Sequence, residues 1–232
     1  MPQYINEKQL GCIVMLTRGF LLATLLTLSF ALSVNADLLT GQGTFDPPAI
    51  PEGGSIFSTI SIADAGILDD ISITIQGLSH TNAGDVSAEL RFTGDGGPDD
   101  GNPAYVFFRP NFDGVGVGSE ANLGGNYTFT TNPQDNDFWA ESSLPDDEQV
   151  PNQDYFFSDE NGDFHDLSSE EFFGGVNPTG EWQLVITDNN AFGNNLGSVQ
   201  GWELNITTIP EPASAAIIVS LASAAMIRRR RS

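Results

Sequence analysis

The sequence is poor in cysteine, lysine and histidine, and each scarcity excludes a chemistry. Cys12 is the only cysteine among 232 residues, and it lies ahead of the first apolar run. The domain that follows has neither disulfide nor thiol chemistry. Its stability must come from its core or from bound metal. No apolar segment precedes Leu10-Gly11-Cys12, so a lipoprotein reading fails. The two histidines are His80 and His165. A serine hydrolase needs a nucleophile, a histidine base and an orienting acid. Neither histidine has a Gly-x-Ser-x-Gly partner, so no catalytic residue is expected. Outside two terminal apolar runs, no useful length of chain carries a helical period.

Those two runs frame the chain. Leu21 to Leu32 is uncharged, with Arg18 before it and Ser33-Val34-Asn35-Ala36 after it. This is the pattern of a signal peptide with a small-residue cleavage site. Residues 1–36 are read as that signal, with Val34 and Ala36 at the −3 and −1 positions. Met15 is an alternative start, and a retained membrane anchor is the alternative fate. At the other end, Ala213 to Ile227 is fifteen residues without charge, closed by Arg228-Arg229-Arg230-Arg231. As a helix it spans about 22 Å, short of the ~30 Å hydrocarbon core. The arginines are expected on the cytoplasmic side.

With Pro210-Glu211-Pro212 before it, this tail resembles the PEP-CTERM sorting signal of Gram-negative bacteria. The resemblance covers only residues 209–232, with 213–227 as the transmembrane segment. It implies processing by an exosortase-type transpeptidase near Pro210, Glu211 and Pro212. The product would pass from an inner-membrane-tethered intermediate to the cell surface or extracellular matrix.

Between Asp37 and Ile209 lie 173 residues, enough for one domain with a sizeable core. They carry 29 acids against Arg91 and Arg109, a net charge of −27. Phosphate-bearing partners would be repelled, which argues against nucleic acid and anionic lipid. Divalent cations or simple solubility fit such a surface, and calcium is the expected cofactor if there is one.

Strand signals recur along this domain. Ile56, Ile60 and Ile62 open the first. Ile71-Ser72-Ile73-Thr74-Ile75 and Val86 to Phe92 alternate apolar and polar residues, as half-buried strands do. Tyr105–Phe108, Tyr127–Phe129, Trp182–Ile186 and Trp202–Ile206 follow, with loops rich in Gly, Asn and Asp between them. The expected fold is an all-β sandwich over residues 55–207, after a linker at 37–54. An acidic, aromatic loop runs from Asp135 to Glu171.

Three segments resemble the P domain (Homo B) of the subtilisin-like proprotein convertases. They are Ile67 to Ile75, then Leu78-Ser79-His80-Thr81-Asn82-Ala83-Gly84-Asp85-Val86, and last Gly180 to Asn189 continuing through Gly197 to Leu204. The resemblance implies a jelly-roll-like β-sandwich and brings no catalytic residues. In convertases this domain packs beside the protease and supports its folding. Related domains can bind calcium at loops holding Asp85 and Asp188, with Asp70 a third oxygen donor.

A second calcium loop is read at Asp159, Asn161, Asp163 and Glu170, spaced as in an EF-hand but with Phe164 where glycine belongs. Trp139 and Tyr155 either stack on a sugar or cover the core. The expected function is a non-catalytic exported module with a structural or adhesive role. The alternatives are an exopolysaccharide-binding module and a partner or stabiliser of a separate secreted subtilisin-like protease.

Overall fold

A computed structural model describes residues 36–63, 66–93, 104–112, 114, 118–191 and 197–209. The expected signal peptide, the Pro-Glu-Pro motif, the apolar segment 213–227 and the four terminal arginines lie outside the described residues. Among the described residues, no helix is long and apolar enough to cross a membrane.

The described chain forms β1 (Asp37–Thr44), β2 (Ala49–Ile50), β3 (Ser55–Ile62), β4 (Ile67–His80), β5 (Val86–Phe92), β6 (Ala104–Phe108), β7 (Leu123–Thr130), β8 (Asp154–Phe156), β9 (Gly180–Asp188), β10 (Gly197–Ser198) and β11 (Gly201–Ile209). One short helix, α1, covers Phe138–Glu141. Two sheets result, and the fold is an all-β sandwich. The larger orders its strands β1-β11-β4-β10-β2, with β7 also on β4 and β8 on β7. The smaller is β3-β9-β5-β6. Strand neighbours are rarely consecutive, so the chain crosses repeatedly between sheets, as expected of a jelly-roll-like topology.

Alternation explains which faces meet. Ile71, Ile73 and Ile75 are buried on β4 while Ser72 and Thr74 face outward. On β9, Trp182, Leu184 and Ile186 point in, and on β11 Trp202, Leu204 and Ile206 do the same. Removing about twenty-five calories' worth of free energy per mole for each Å² of apolar surface from water drives this layer together.

The structure differs from the sequence reading at 37–54. That segment is not a linker. β1 pairs with β11 through eight consecutive positions, from Asp37↔Thr208 to Thr44↔Gly201. Glycine hides the strand from a hydrophobicity pattern. At Gly43 a Cβ would lie 2.2 Å from Trp202 Nε1, so only glycine lets β1 close over the indole. The sandwich also runs two residues past 207, to Ile209.

The loop 135–171 is a built cover. Asp137 caps α1, its carboxylate accepting from Trp139 N at 2.8 Å and Ala140 N at 3.2 Å. That turn delivers Phe138 into a cluster of rings. Phe138 packs on Phe107 at 4.8 Å, Phe129 at 5.3 Å and Tyr155 at 5.0 Å between centroids. Phe157, Leu167 and Phe173 are fully buried as well.

Candidate functional site

His80, Asp85 and Asp188 lie where β4, the turn after it and the end of β9 meet. β4 ends on His80, a 3₁₀ turn follows at Ala83–Asp85, and β9 ends on Asp188. His80, Asp85 and Asp188 are all buried. Two carboxylates in an apolar layer are costly unless hydrogen-bonded, and here they are. Asp85 Oδ2 accepts from Asn82 Nδ2 at 3.3 Å and from Asn190 Nδ2 at 3.1 Å. Asp188 Oδ1 accepts from Asn190 N at 2.9 Å.

His80 Nε2 lies 3.5 Å from Asp188 Oδ2, at the long end of hydrogen-bond range. In the tautomer protonated on Nε2, the ring points its N–H at Asp188. Nδ1 lies 2.8 Å from Asn82 O and 3.1 Å from Asn82 N, donating to the carbonyl in one tautomer and accepting from the amide in the other.

The backbone completes the knot. Asn189 N donates to Asp85 O at 2.7 Å, and Asp188 N donates to Gly54 O at 2.9 Å. Asn189 Nδ2 donates to Asp85 O and to Ser87 Oγ, both at 3.0 Å. Gly84 lies flat on a neighbouring loop, where a Cβ would meet Ser119 N at 2.2 Å. Arg109 Nε donates to Gly84 O at 3.1 Å, and its guanidinium sits 3.4 Å over the Phe112 ring. Burial lowers the Arg109 pKa, opposed by the charges of Asp85 and Asp188.

This arrangement holds loops together. The nearby Ser87 Oγ accepts from Asn189 Nδ2.

Of the three expected calcium donors, Asp85 and Asp188 are brought together through Asn190. Asp70 is not with them. It is the fourth residue of β4, which His80 ends about 30 Å away along an extended strand. Its Oδ1 accepts from Ile71 N at 2.8 Å and from the Thr131 hydroxyl. Among the described residues, no group of three or more histidine, cysteine or acidic side chains is placed to hold a metal ion. Asp85 Oδ2 and Asp188 Oδ1 each accept from N–H donors of the asparagines beside them.

The second expected loop is also no EF-hand. Asp159 Oδ1 accepts from Asn161 N at 2.7 Å and Asp163 N at 3.0 Å. It caps its own turn, which an antiparallel bridge between Ser158 and Phe164 closes. Asn161, Asp163 and Glu170 remain exposed.

Trp139 and Tyr155 do not form a sugar-stacking pair. Tyr155 is fully buried, and its hydroxyl donates to Pro151 O at 2.7 Å. Desolvation holds that hydroxyl far above the usual phenol range. Trp139 is half-buried, and a Cβ at Gly162 would lie 2.4 Å from its Cδ2.

His165 pins the cover to the edge of the smaller sheet. Its Nε2 donates to Tyr105 O at 2.9 Å, and its ring packs on Phe172 at 4.6 Å. Burial pushes its pKa down.

Sequence reasoning missed Asn82, Asn190 and Arg109. Asn82 stood inside the Leu78–Val86 segment and Arg109 was one of the domain's two basic residues, but neither position pointed to this role, and Asn190 had only its proximity to Asp188.

No family model matches the chain. No curated protein matches it either. Among solved structures, the chain is similar to one in the crystal structure of the Aeromonas sobria serine protease and chaperone complex. The identity is 16% and the TM-score 0.42, covering 76% of this chain and 28% of that one. It is also similar to the crystal structure of the serine protease of Aeromonas sobria, at 16% identity and a TM-score of 0.39, covering 75% and 27%. The chain spans a little over a quarter of the length of those chains.

Proposed function

We propose that this chain is a non-catalytic exported β-sandwich module with a structural or adhesive role at the cell surface or in the extracellular matrix. One observation carries the non-catalytic part. The histidine and carboxylates that a hydrolase would expose are sealed into the sandwich, with His80 at 1% exposure and Asp85 at 0%. They tie loops together. The export route rests on the terminal segments of the sequence. The signal at 1–36 starts secretion, and an exosortase-type enzyme recognises the tail from Pro210 to Arg231.

The test is an assay of the purified protein against peptide, ester and glycoside substrates. No turnover above a heat-denatured control is expected. Turnover that co-purifies with the chain and disappears in His80→Ala would sink the non-catalytic reading. Mass spectrometry of the exported protein is expected to show loss of residues 1–36 and a cut near Pro210-Glu211-Pro212. Stoichiometric co-purification with a subtilisin-like protease would instead favour a role as that enzyme's partner.

A further inference from the structure

The two sides of the sandwich are finished differently. On one side β6 ends the smaller sheet and β8 the larger, and the cover at 135–171 closes both edges. On β6, Ser158 N donates to Val106 O at 3.3 Å and His165 Nε2 to Tyr105 O at 2.9 Å. On β8, Asn136 N donates to Asp154 O at 3.2 Å, and Asn136 O accepts from Phe156 N at 3.1 Å. On the other side the edge strands are β1 and β3. They lie one over the other, since a Cβ at Gly41 would meet Ile60 Cδ1 at 2.5 Å. Each is eight residues long, and among the described residues no strand pairs with the outer edge of either.

An open edge presents a row of N–H and C=O groups, which is a template for an extended polypeptide. β1 is a poor template, with Asp37 at its start and Gly41 and Gly43 within it. β3 is a good one. Ser55-Ile56-Phe57-Ser58-Thr59-Ile60-Ser61-Ile62 has no charge, no proline and no glycine, and its register with β9 runs without a bulge. Those are the devices by which edge strands refuse a neighbour. Phe57 stands on this edge strand with 64% exposure.

We infer that β3 is the seam of a homodimer, pairing antiparallel with β3 of a second copy about a two-fold axis. The strand is complementary to itself. Centred on Ser58, the pairing sets Ile56 against Ile60 of the second copy on the core face, and Phe57 against Thr59 on the outer face. Both faces then continue across the seam in phase. A basic strand would find no carboxylate along β3 to hold it, and an acidic one is repelled by the domain's charge of −27. An uncharged strand with the same alternation is what β3 itself supplies.

The acids are placed so that two copies can meet here. Glu181 lies opposite Ser61, and Thr187 opposite Ser55. Across the seam that rung runs Glu181, Ser61, then Ser55 and Thr187 of the second copy, so no carboxylate opposes Glu181. Glu52 belongs to the turn before β3, outside the paired rungs. The acidic cover is tied to β6, three strand spacings or about 14 Å from the seam. The remaining long-range repulsion is screened by salt, over ~8 Å at physiological ionic strength. Because the cover closes the far side, pairing stops at two copies.

Sedimentation velocity of the full chain over a concentration series, at low and at high salt, tests this. A reversible monomer–dimer equilibrium that tightens with salt is expected, with no larger species. Phe57→Lys should weaken it about tenfold or more. The lysine makes each copy less negative, so the loss would report the blocked edge and not added repulsion. Phe57 is exposed enough to be replaced without unfolding the sandwich, which a thermal melt verifies. Leu38→Lys, on β1, should leave the dimer intact.

A monomer at every concentration and at both salts would overturn the inference. So would a dimer that survives Phe57→Lys, which would place the contact elsewhere, the apolar segment 213–227 included. A dimer lost in Leu38→Lys alone would move the seam to β1, and a ladder of larger oligomers would contradict the closed far side. None of these outcomes touches the export and non-catalytic reading, which the substrate assays and terminal processing decide separately.

Discussion

Two regions of this molecule fasten loops onto the same sandwich by opposite means. The cover at 135–171 is held by apolar burial, with Phe138, Tyr155, Phe157 and Phe173 all at 0% exposure. The knot at the ends of β4 and β9 is held by polar pairing among His80, Asn82, Asp85, Asp188 and Asn190. The difference teaches how each will fail. Burial is non-directional and scales with area. A buried hydrogen-bond network adds little net stability while intact and costs much when one member is removed.

The largest effect is expected in the cover. Phe138→Ala should destabilise the domain by about 3–5 kcal/mol. For this size that lowers Tm by roughly 10 °C, readable by calorimetry. A change below ~1 kcal/mol would mean that the loop merely rests on the sandwich.

The knot should respond less. Asp188→Ala strands the Asn190 N–H and His80 in a buried site and should cost about 1–3 kcal/mol. Amide exchange is expected to quicken at Asn189 and Asn190 before it does in β9. Asp70→Ala, at the far end of β4, should stay within ~0.5 kcal/mol. Equal losses from the two aspartates would break the distinction.

A smaller, pH-dependent effect belongs to His165. Its folded pKa is lowered by burial, so the unfolded chain takes up the proton first. Its contribution is therefore fully present above the ordinary histidine value of about 6.5 and is lost as pH falls from there toward the folded value. Urea unfolding at pH 7.5 and 5.5 should show the gap between the native protein and His165→Gln shrinking at the lower pH. A gap that does not change would remove His165 from the pH response.

Calcium is expected to do least. A ligand at a hundred times its dissociation constant adds ~2.7 kcal/mol, several degrees in Tm. Melts in calcium and in chelator should instead superimpose within about 1 °C. A calcium-specific rise not matched by magnesium would show that the Asp85–Asp188 pair takes a cation after all.

Much of the sandwich was legible because aliphatic alternation is a direct record of which face is buried. Ile71, Ile73 and Ile75 announce β4, and Trp182, Leu184 and Ile186 announce β9. β1 was not legible, because Gly41 and Gly43 occupy inward positions where a larger residue would have shown the period. β8 escaped notice because three residues pairing in parallel with β7 leave no pattern of their own.

In the knot, Asp85, Asp188 and His80 were visible through the motif. Asn82 and Asn190 were not, since an amide's partner depends on which loops fold together. Asp70 was grouped with them wrongly, because a fourteen-residue strand separates by tens of ångströms what the sequence places nearby. The burial of Tyr155 is a tertiary fact that no local pattern carries.

The pairing of β1 with β11 has a mechanical consequence. Asp37 stands opposite Thr208, so the first and last strands leave the sandwich side by side at one end. Tension applied between the two ends of the domain would load this ladder one rung at a time, like a zipper, and peel β1 away at low force. Tension entering through β11 and leaving through the smaller sheet would bypass that ladder, because β11 is also bonded to β4. A domain of this build is mechanically weak when pulled by both ends and stronger when held through β11.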